Sequence, residues 1–228
     1  MDAIKNRVLK IENEIQKTAK ACGRDFRDIS LIGVSKKKSV DTIIKGVNAG
    51  IKILGENYIQ EAVEKIEKIG SIPCDWHFIG HLQSNKAKFA VKYFNLIHTV
   101  DTIKLAKEIN KKAKKINKIQ NILMQVNISE EKSKSGVLAK NSCSFAKEIT
   151  NFKNISLNGL MCIPEFSYDP EKSRQYFKAL FNIKNKIQNT LKIKIKHLSM
   201  GMSYDFKIAI QEGATIVRIG TAIFGERK

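Results

Sequence analysis

The chain has 228 residues, of which 43% are hydrophobic, and its 41 Lys and Arg against 22 Asp and Glu give a formal net charge of +19. This apolar content is enough for one or two folded domains and argues against a disordered chain. No apolar stretch approaches the roughly 18 residues of a membrane span, and the charged N-terminus lacks the hydrophobic segment of a secretory signal. The sequence therefore predicts a cytoplasmic protein.

The positive charge by itself would suit a nucleic acid, an anionic membrane or a phosphorylated small molecule as partner. Only six of the 41 basic residues are Arg, and the lysines are spread along the whole chain, which disfavours the first two partners. The four cysteines have no spacing typical of metal ligands, so no metal site is predicted. An anion-binding or RNA-binding barrel remains an alternative.

The secondary structure is predicted from the period of the apolar residues. Residues 2–22 have apolar side chains at steps of three and four, which predicts an amphipathic helix that ends at Gly23. The predicted strands after it are 29–35, 51–54, 76–79, 96–100, 121–128, 156–161, 195–199 and 216–219. The predicted helices between and after them are 40–49, 58–69, 84–93, 102–117, 137–150, 170–191 and 204–212. The segment after the last strand is too short for a helix to be predicted.

Strands that alternate with helices need crossover connections and therefore form a mainly parallel sheet. Eight such units favour a closed (β/α)8 barrel over an open doubly wound sheet. The turn after the first strand, Gly33 to Lys38, also lacks the GxGxxG pattern of an open dinucleotide-binding sheet. The predicted fold is thus α/β, a single TIM barrel domain of residues 1–228 with residues 1–22 as an extra helix packed on it.

The active face of such a barrel is formed by the C-terminal ends of its strands and the loops that follow them. The loop after the seventh strand runs through residues 199–203, and the eighth strand leads through Arg218 into Gly220 and Thr221. Their glycines, hydroxyl groups and backbone N–H groups are suited to a phosphate group. A phosphate-bearing ligand is therefore expected.

Lys36 is the candidate nucleophile, because strand alternation puts Ile32, Val34 and Lys36 on one face. Partial burial and neighbouring cations are two effects that lower the pKa of an amine, and a less protonated amine attacks an aldehyde more readily. The residues alone leave two alternatives open. The three consecutive lysines could form a solvated turn without function, or Lys38, which has the same strand phase, could be the reactive lysine.

Six runs of sequence resemble, in this order, those of the pyridoxal-5′-phosphate homeostasis proteins, also described as the YggS or proline-synthase co-transcribed family. The runs are VSK (34–36), GENYIQEA (55–62), WHFIGHLQSNK (76–86), VNISEEKSKSG (126–136), GLMCIP (159–164) and LSMGMSYDFKIAIQEGATIVRIGTAIFG (198–225). The resemblance implies a fold-type-III barrel like the N-terminal domain of alanine racemase, with pyridoxal 5′-phosphate (PLP) on a lysine. The family often has a proline where this chain has Ser39, itself a good helix N-cap.

The resemblance also implies roles for individual residues. It places the internal aldimine (Schiff base) on Lys36, Asn57 against the cofactor ring and Arg218 at the pyridine nitrogen. The other implied cofactor-site residues are Gly220 and Thr221 at the phosphate, Ser199, Met200, Gly201 and Ser203 in the loop beside the cofactor, and Val34, Tyr58 and His81, which lie in or next to matching motifs.

The function implied by the resemblance is intracellular PLP (vitamin B6) homeostasis, in which the protein buffers PLP or delivers it, with PLP-dependent apoenzymes as candidate recipients. An arginine beside the ring nitrogen makes the ring a weaker electron sink, although racemases of this fold work with one. The sequence ends at Lys228, directly after the barrel, so we expect no C-terminal β-domain with a second acid/base group. A monomer with little or no turnover is therefore expected. The alternative is a PLP-dependent racemase or lyase that uses Lys36 with Tyr58 or His81.

Overall fold

The structure is a computed structural model that describes residues 3–131 and 134–226. Predictions that fall on residues 1–2, 132–133 and 227–228 lie outside the described residues: the start of the N-terminal segment, the middle of the 126–136 motif and the chain end at Lys228. The strands are β1 (Ser30–Val34), β2 (Ile53–Glu56), β3 (Asp75–Phe78), β4 (Leu96–Val100), β5 (Gln120–Asn127), β6 (Val137–Leu138), β7 (Ile155–Met161), β8 (His197–Ser199) and β9 (Ile216–Ile219).

A parallel sheet closes on itself to form a barrel. Neighbouring strands pair in the order β4-β3-β2-β1-β9-β8-β7-β5, and a further pairing of β4 with β5 closes the ring of eight strands. The short β6 pairs with the C-terminal end of β5 and is not part of the ring. The predicted (β/α)8 barrel is therefore confirmed.

Helices cover the outside of the barrel. They are α1 (Ala3–Ala21), α2 (Val40–Asn48), α3 (Ile59–Ile69), α4 (Ala87–Tyr93), α5 (Ile103–Lys115), α6 (Ser142–Ile149), α7 (Arg174–Leu191), α8 (Phe206–Gln211) and α9 (Thr221–Phe224). The extra helix α1 buries Val8, Ile11, Ile15 and Ala19 and packs against α2, α8 and α9. Within the described ranges, no helix is long and apolar enough to cross a lipid bilayer.

Most predicted elements are present, with ends that coincide with the prediction or are shifted by at most four residues. The N-cap prediction is confirmed, because the Ser39 hydroxyl accepts a hydrogen bond from the backbone N–H of Thr42 at the start of α2. The helix prediction was wrong over residues 137–141, where β6 and a short 3-10 turn precede α6. Gly136 explains the strand, since its positive φ of 134° and missing Cβ let the chain approach the Asn127 backbone.

Two apolar layers hold the barrel together. The larger layer lies between the strands and the helices. The smaller one fills the barrel interior with side chains from alternate strand positions: Ile32, Leu96, Leu123, Met161 and Ile216. Val34 packs against this interior cluster, as the strand alternation predicted, so the next residue in phase, Lys36, lies at the C-terminal end of the barrel.

Candidate functional site

A cavity of about 310 Å³ opens at the C-terminal end of the barrel. Its lining includes seven of the predicted site residues, which come from four strand ends distant in sequence: Val34, Lys36, Asn57, Ser203, Arg218, Gly220 and Thr221. A larger groove of about 520 Å³ lies between α1 and the N-terminal ends of β1 and β2, the end that barrel enzymes do not use for chemistry. The smaller cavity is therefore the candidate site.

The remaining predicted residues lie elsewhere. Ser199, Met200 and Gly201 are buried beside the cavity without lining it. Gly201 has a φ of 91°, and a Cβ at this position would meet the side chain of Ala209, so the turn requires glycine. Tyr58 is 51% exposed and is outside the lining. His81 lines a neighbouring cavity.

Five lining residues were missed by the sequence analysis: Ile79, Ile163, Phe166, Met202 and Tyr204. Ile163 and Phe166 belong to a loop without periodicity, so no local pattern indicated their place. Phe166 and Tyr204 lie edge to face across the mouth, with ring centroids 5.8 Å apart, although both side chains are largely exposed. The position of Phe166 and Tyr204 in loops after strand ends was the one signal in the sequence that could have identified these two residues.

The turn that carries Lys36 is held from both sides by a buried ion cluster. Lys65 on α3 is only 7% exposed. Its ammonium group donates to the backbone oxygen of Ser35 at 2.8 Å. It also donates to Glu56 Oε1 at 2.8 Å and to Glu61 Oε1 at 2.6 Å. Glu61 in turn accepts the backbone N–H of Lys37, whose φ is 58°. The backbone groups on both sides of Lys36 are thereby fixed.

Glu56 completes this cluster under the turn. Its Oε1 accepts the Ser35 hydroxyl at 2.6 Å in addition to the Lys65 ammonium. Burial raises the pKa of Glu56, and the positive charge of Lys65 opposes that rise. The other carboxylate oxygen, Oε2, is buried, and no described residue gives it a hydrogen-bond partner.

Lys38 has a different environment from Lys36. Its ammonium donates to the backbone oxygens of Gly225 at 3.0 Å and Glu226 at 2.6 Å, which ties the turn to the C-terminal segment. Lys36 lines the cavity, whereas Lys38 lines a shallow groove between the turn and α3. The geometry therefore favours Lys36 over Lys38 as the reactive amine.

A buried hydrogen-bonded chain begins at Arg218 and crosses the barrel interior. Arg218 is 4% exposed, and its guanidinium donates to Ser199 Oγ at 2.7 Å and to the Cys162 backbone oxygen at 3.0 Å. Ser199 Oγ lies 3.0 Å from His98 Nδ1, and His98 Nε2 lies 3.1 Å from His77 Nδ1. Arg218 is thus fixed in direction by Ser199 on β8 and by the backbone of Cys162, directly after β7, and His98 on β4 contacts Ser199 in turn.

The donor at one end of this chain favours one pair of histidine tautomers. Ser199 Oγ accepts from Arg218, and among the described residues His98 Nδ1 is its other hydrogen-bond partner. With the serine hydroxyl donating to His98 Nδ1, His98 carries its proton on Nε2. That proton is donated to His77 Nδ1, which leaves the His77 proton on Nε2. Burial lowers the pKa of His77 to about 3 and lowers that of His98 well below its usual value, with Arg218 adding repulsion at His98. Burial also lowers the pKa of Arg218, but a guanidinium stays protonated in proteins.

Asn57 forms another part of the cavity wall. Its side-chain Oδ1 is buried and has no hydrogen-bond partner among the described residues. Its backbone oxygen lies so close to Gly80 that a Cβ on Gly80 would be 2.0 Å away, which only glycine permits. Backbone packing therefore fixes the position of the Asn57 backbone at the cavity wall.

The cavity can bind a molecule with three kinds of group. The Lys36 amine can attack a carbonyl carbon, and Arg218 can donate to a ring nitrogen. The hydroxyls of Ser203 and Thr221, with the backbone at Gly220, can hold an anion. Among the described residues, no three His, Cys, Asp or Glu side chains are arranged to hold a metal ion.

Comparisons with known sequences agree with this geometry. The model of the family described as alanine racemase, N-terminal domain, matches residues 9–228. A pyridoxal phosphate homeostasis protein of Aquifex aeolicus is 41% identical, with 97% of each chain covered. A protein of the same name from Pasteurella multocida is 40% identical, covering 98% of this chain and 97% of the relative.

Solved structures share the fold. An unknown protein from Bifidobacterium adolescentis superposes with a TM-score of 0.91 at 31% identity, covering 98% of this chain and 96% of the other. PipY of Synechococcus elongatus, solved with PLP bound, has a TM-score of 0.86 at 28% identity, covering 97% and 100%. An alanine racemase of Clostridium difficile, at 16% identity and a TM-score of 0.78, is covered over 57% of its length and shares the fold.

The histidine chain predicts that His77 and His98 are neutral at pH 7, both with the proton on Nε2. They should stay so down to pH 5, because their folded-state pKa values are depressed by burial. The stability that neutral His77 contributes is present above about pH 6.5, its unfolded pKa, and is lost as the pH falls towards about 3. Long-range 1H–15N NMR spectra identify the protonated nitrogen.

The Ser199→Ala variant is the comparison for this prediction, because it removes the hydroxyl that lies 3.0 Å from His98 Nδ1. We expect a mixture of His98 tautomers in this variant. A wild-type His98 that carries its proton on Nδ1, or that titrates between pH 5 and 8, would show that the assigned direction of the chain is wrong.

Proposed function

The chain belongs to the family of pyridoxal phosphate homeostasis proteins, and on that premise we propose that it holds PLP on Lys36 and buffers or delivers it in intracellular vitamin B6 homeostasis. The observation that carries the proposal is the shared cavity of Lys36, Arg218 and Thr221. The PLP-bound structure of PipY supports it. We further propose that residues 1–228 act as one PLP-binding domain, as a cytoplasmic monomer that supplies PLP-dependent apoenzymes.

The residues of the cavity fit PLP by their chemistry. When bound, PLP supplies an aldehyde that an amine captures reversibly, and Lys36 is the amine at hand. Ser203, Gly220 and Thr221 would hold the phosphate. Arg218 would donate to the pyridine nitrogen, and Asn57 would form part of the wall against the ring.

Arg218 weakens support for chemistry at a substrate α-carbon but does not by itself decide between a carrier and a racemase, since racemases of this fold work with such an arginine. Its guanidinium is fixed by Ser199 and Cys162 and keeps its own protons. A cation beside a ring nitrogen disfavours protonation of that nitrogen, so the ring is a weaker electron sink. Of the two candidate second proton carriers, Tyr58 and His81, neither lines the cavity of Lys36. We therefore propose a carrier with little or no turnover.

The proposal predicts that the protein incubated with PLP has an absorbance band in the visible region, and that borohydride fixes a pyridoxyl group on Lys36. Peptide mapping by mass spectrometry identifies the labelled residue. Lys38→Ala is the control, because the Lys38 ammonium is bound to backbone oxygens outside the cavity, and this variant should keep the label on Lys36. A wild-type label on Lys38, or none at all, would refute the assignment.

The phosphate assignment predicts that Thr221→Val weakens PLP binding about 10- to 100-fold, since a hydrogen bond to a charged group contributes about 1.5–3 kcal/mol. The label should remain on Lys36. Pyridoxal, which lacks the phosphate, provides the control: its affinity should be the same for the wild type and for Thr221→Val. Equal losses for both ligands would mean that Thr221 does not contact the phosphate.

The carrier assignment predicts that the PLP-loaded protein does not racemise amino acids. L-alanine incubated with it should lose optical purity no faster than with the same concentration of free PLP. Chiral chromatography measures both enantiomers over time. Sustained catalytic formation of D-alanine would establish the alternative, a racemase.

A further inference from the structure

One side of the barrel carries a concentration of positive charge. The spread of lysines along the sequence disfavoured a membrane or a nucleic acid as partner, but the folded chain gathers several of them on one side. Residues 102–119 contain seven lysines and one acidic residue, Glu108. They form α5 and the turn after it, which connect β4 to β5. In the ring of strands, β5 lies across from β1, the strand that leads to Lys36.

Five of these lysines form a stripe along the outer face of α5. Leu105, Ile109 and Ala113 occupy the buried face of this helix. The exposed lysines follow one another at steps of three and four residues, the spacing of one helix face: Lys104, Lys107, Lys111, Lys114 and Lys115. Like charges at this spacing repel one another and destabilise a helix. An anionic partner against this lysine stripe would relieve that repulsion.

Few carboxylates neutralise the lysine stripe. The helices α4, α5 and α6 pack side by side, and Glu108 and Glu148 are the acidic residues within them. Glu108 is paired with Lys112 at 2.9 Å. Glu148 lies 3.9 Å from Lys107, but both side chains are about half exposed or more, so this pair contributes little. The outer face of the three helices, called here the α5 surface, includes three further exposed lysines: Lys88, Lys92 and Lys147.

The acidic groups next to the α5 surface have other partners. Glu67 on α3 accepts the hydroxyl of Tyr93 at the end of α4. Asp101, directly before α5, is attracted to His81 at the C-terminal end of the barrel. These carboxylates therefore reduce the positive charge at the borders of the surface and leave its centre, the lysine stripe, positive.

Two exposed isoleucines lie at the end of the lysine stripe. Ile116 is 53% exposed and Ile119 is 62% exposed. Lys118, between them in sequence, is anchored to the end of α4. Its ammonium donates to the backbone oxygens of Val91 at 2.7 Å and Phe94 at 2.9 Å. A single exposed isoleucine is ordinary on a protein surface, but here an anchored turn holds two of them beside a row of lysines.

This combination fits a lipid bilayer better than a nucleic acid. A bilayer with anionic headgroups attracts lysines and also accepts apolar side chains at its interface. Nucleic acids are bound mainly through arginine and through aromatic side chains that stack on bases. Residues 87–149 contain no arginine. The two isoleucines would add nothing to a contact with phosphates.

We propose that the α5 surface binds an anionic lipid bilayer reversibly, with the lysine stripe at the headgroup phosphates and Ile116 and Ile119 in the interfacial region. The lysines supply an attraction that salt screens, and the isoleucines supply one that salt does not screen. The inference goes beyond the proposed function and depends on none of the residues that line the cavity of Lys36.

The test measures co-sedimentation of the full chain with vesicles of phosphatidylcholine that contain about 30% phosphatidylglycerol, at about 0.1 M salt. The affinity should be at least about tenfold higher than for vesicles of phosphatidylcholine alone. Absence of binding, or equal binding to the two kinds of vesicle, would overturn the proposal.

Two double variants with the same change in net charge locate the surface. Lys111→Glu/Lys115→Glu should weaken vesicle binding at least about tenfold. Lys17→Glu/Lys20→Glu is the matched control, since both lysines are exposed near the end of α1, which packs against α2, α8 and α9. The control should keep the affinity within about threefold. Equal losses in the two variants would mean that net charge alone is responsible and would refute the location.

A third variant separates a bilayer from a nucleic acid. Ile116→Ser/Ile119→Ser keeps every charge and should weaken vesicle binding at least about fivefold, because the interfacial contact is lost. Its binding to poly(U) RNA should equal that of the wild type. If the variant binds vesicles as tightly as the wild type, or if poly(U) displaces vesicles at equal phosphate concentration, the proposal fails in favour of a nucleic acid.

A measurement on the wild type covers the case in which a variant does not fold. Lysines in contact with a bilayer should react more slowly with an acetylating reagent. Peptide mapping should show that vesicles protect the lysine stripe and leave Lys17 and Lys20 as reactive as before. Equal protection of the two helices, or protection of α1 alone, would contradict the proposal. The result does not depend on whether PLP labels Lys36, so this inference and the proposed function can fail separately.

Discussion

The turn that carries Lys36 depends on one buried ammonium group, that of Lys65. Removal of a charge from water costs several kcal/mol unless it is paired and hydrogen-bonded. Here the Lys65 ammonium has three oxygen partners, from Ser35, Glu56 and Glu61. Because Ser35 precedes Lys36 and Glu61 holds the residue after it, the same contacts that stabilise the buried charge also fix the backbone at the reactive lysine. A flexible side chain is thereby attached to a rigid base.

Closure of the barrel supplies the opposite wall. Parallel strands bring β1 next to β9, so that Ile32 is in register with Arg218 although 186 positions separate them. The Arg218 guanidinium then meets Ser199 and, through it, the neutral His98. Burial keeps both histidines of the chain uncharged, which leaves Arg218 as the cation of this interior chain. The lysine and the arginine are thus each oriented by buried groups that do not themselves line the cavity.

The sequence was sufficient for the fold because every strand and helix unit has its own apolar period, and the strand phase alone put Lys36 at the barrel mouth. It was insufficient where a contact depends on register between strands. Lys65 follows a helical pattern like any surface lysine, and its burial arises from Glu56 on the neighbouring strand end. The hydrogen-bonded chain from Ser199 to His77 joins β8 to β4 and β3, and β8 is distant from the other two strands in sequence. Phe166 lines the cavity from a loop that has no apolar period.

The wall between the cavity of Lys36 and the neighbouring cavity that His81 lines is set by backbone packing. Asn57 lines both cavities. Gly80 lies so close to the backbone oxygen of Asn57 that a Cβ at position 80 would be 2.0 Å away. A side chain there would displace the segment that follows β2. The missing Cβ of Gly80 therefore lets the segments after β2 and β3 come together at the point where they separate the two cavities.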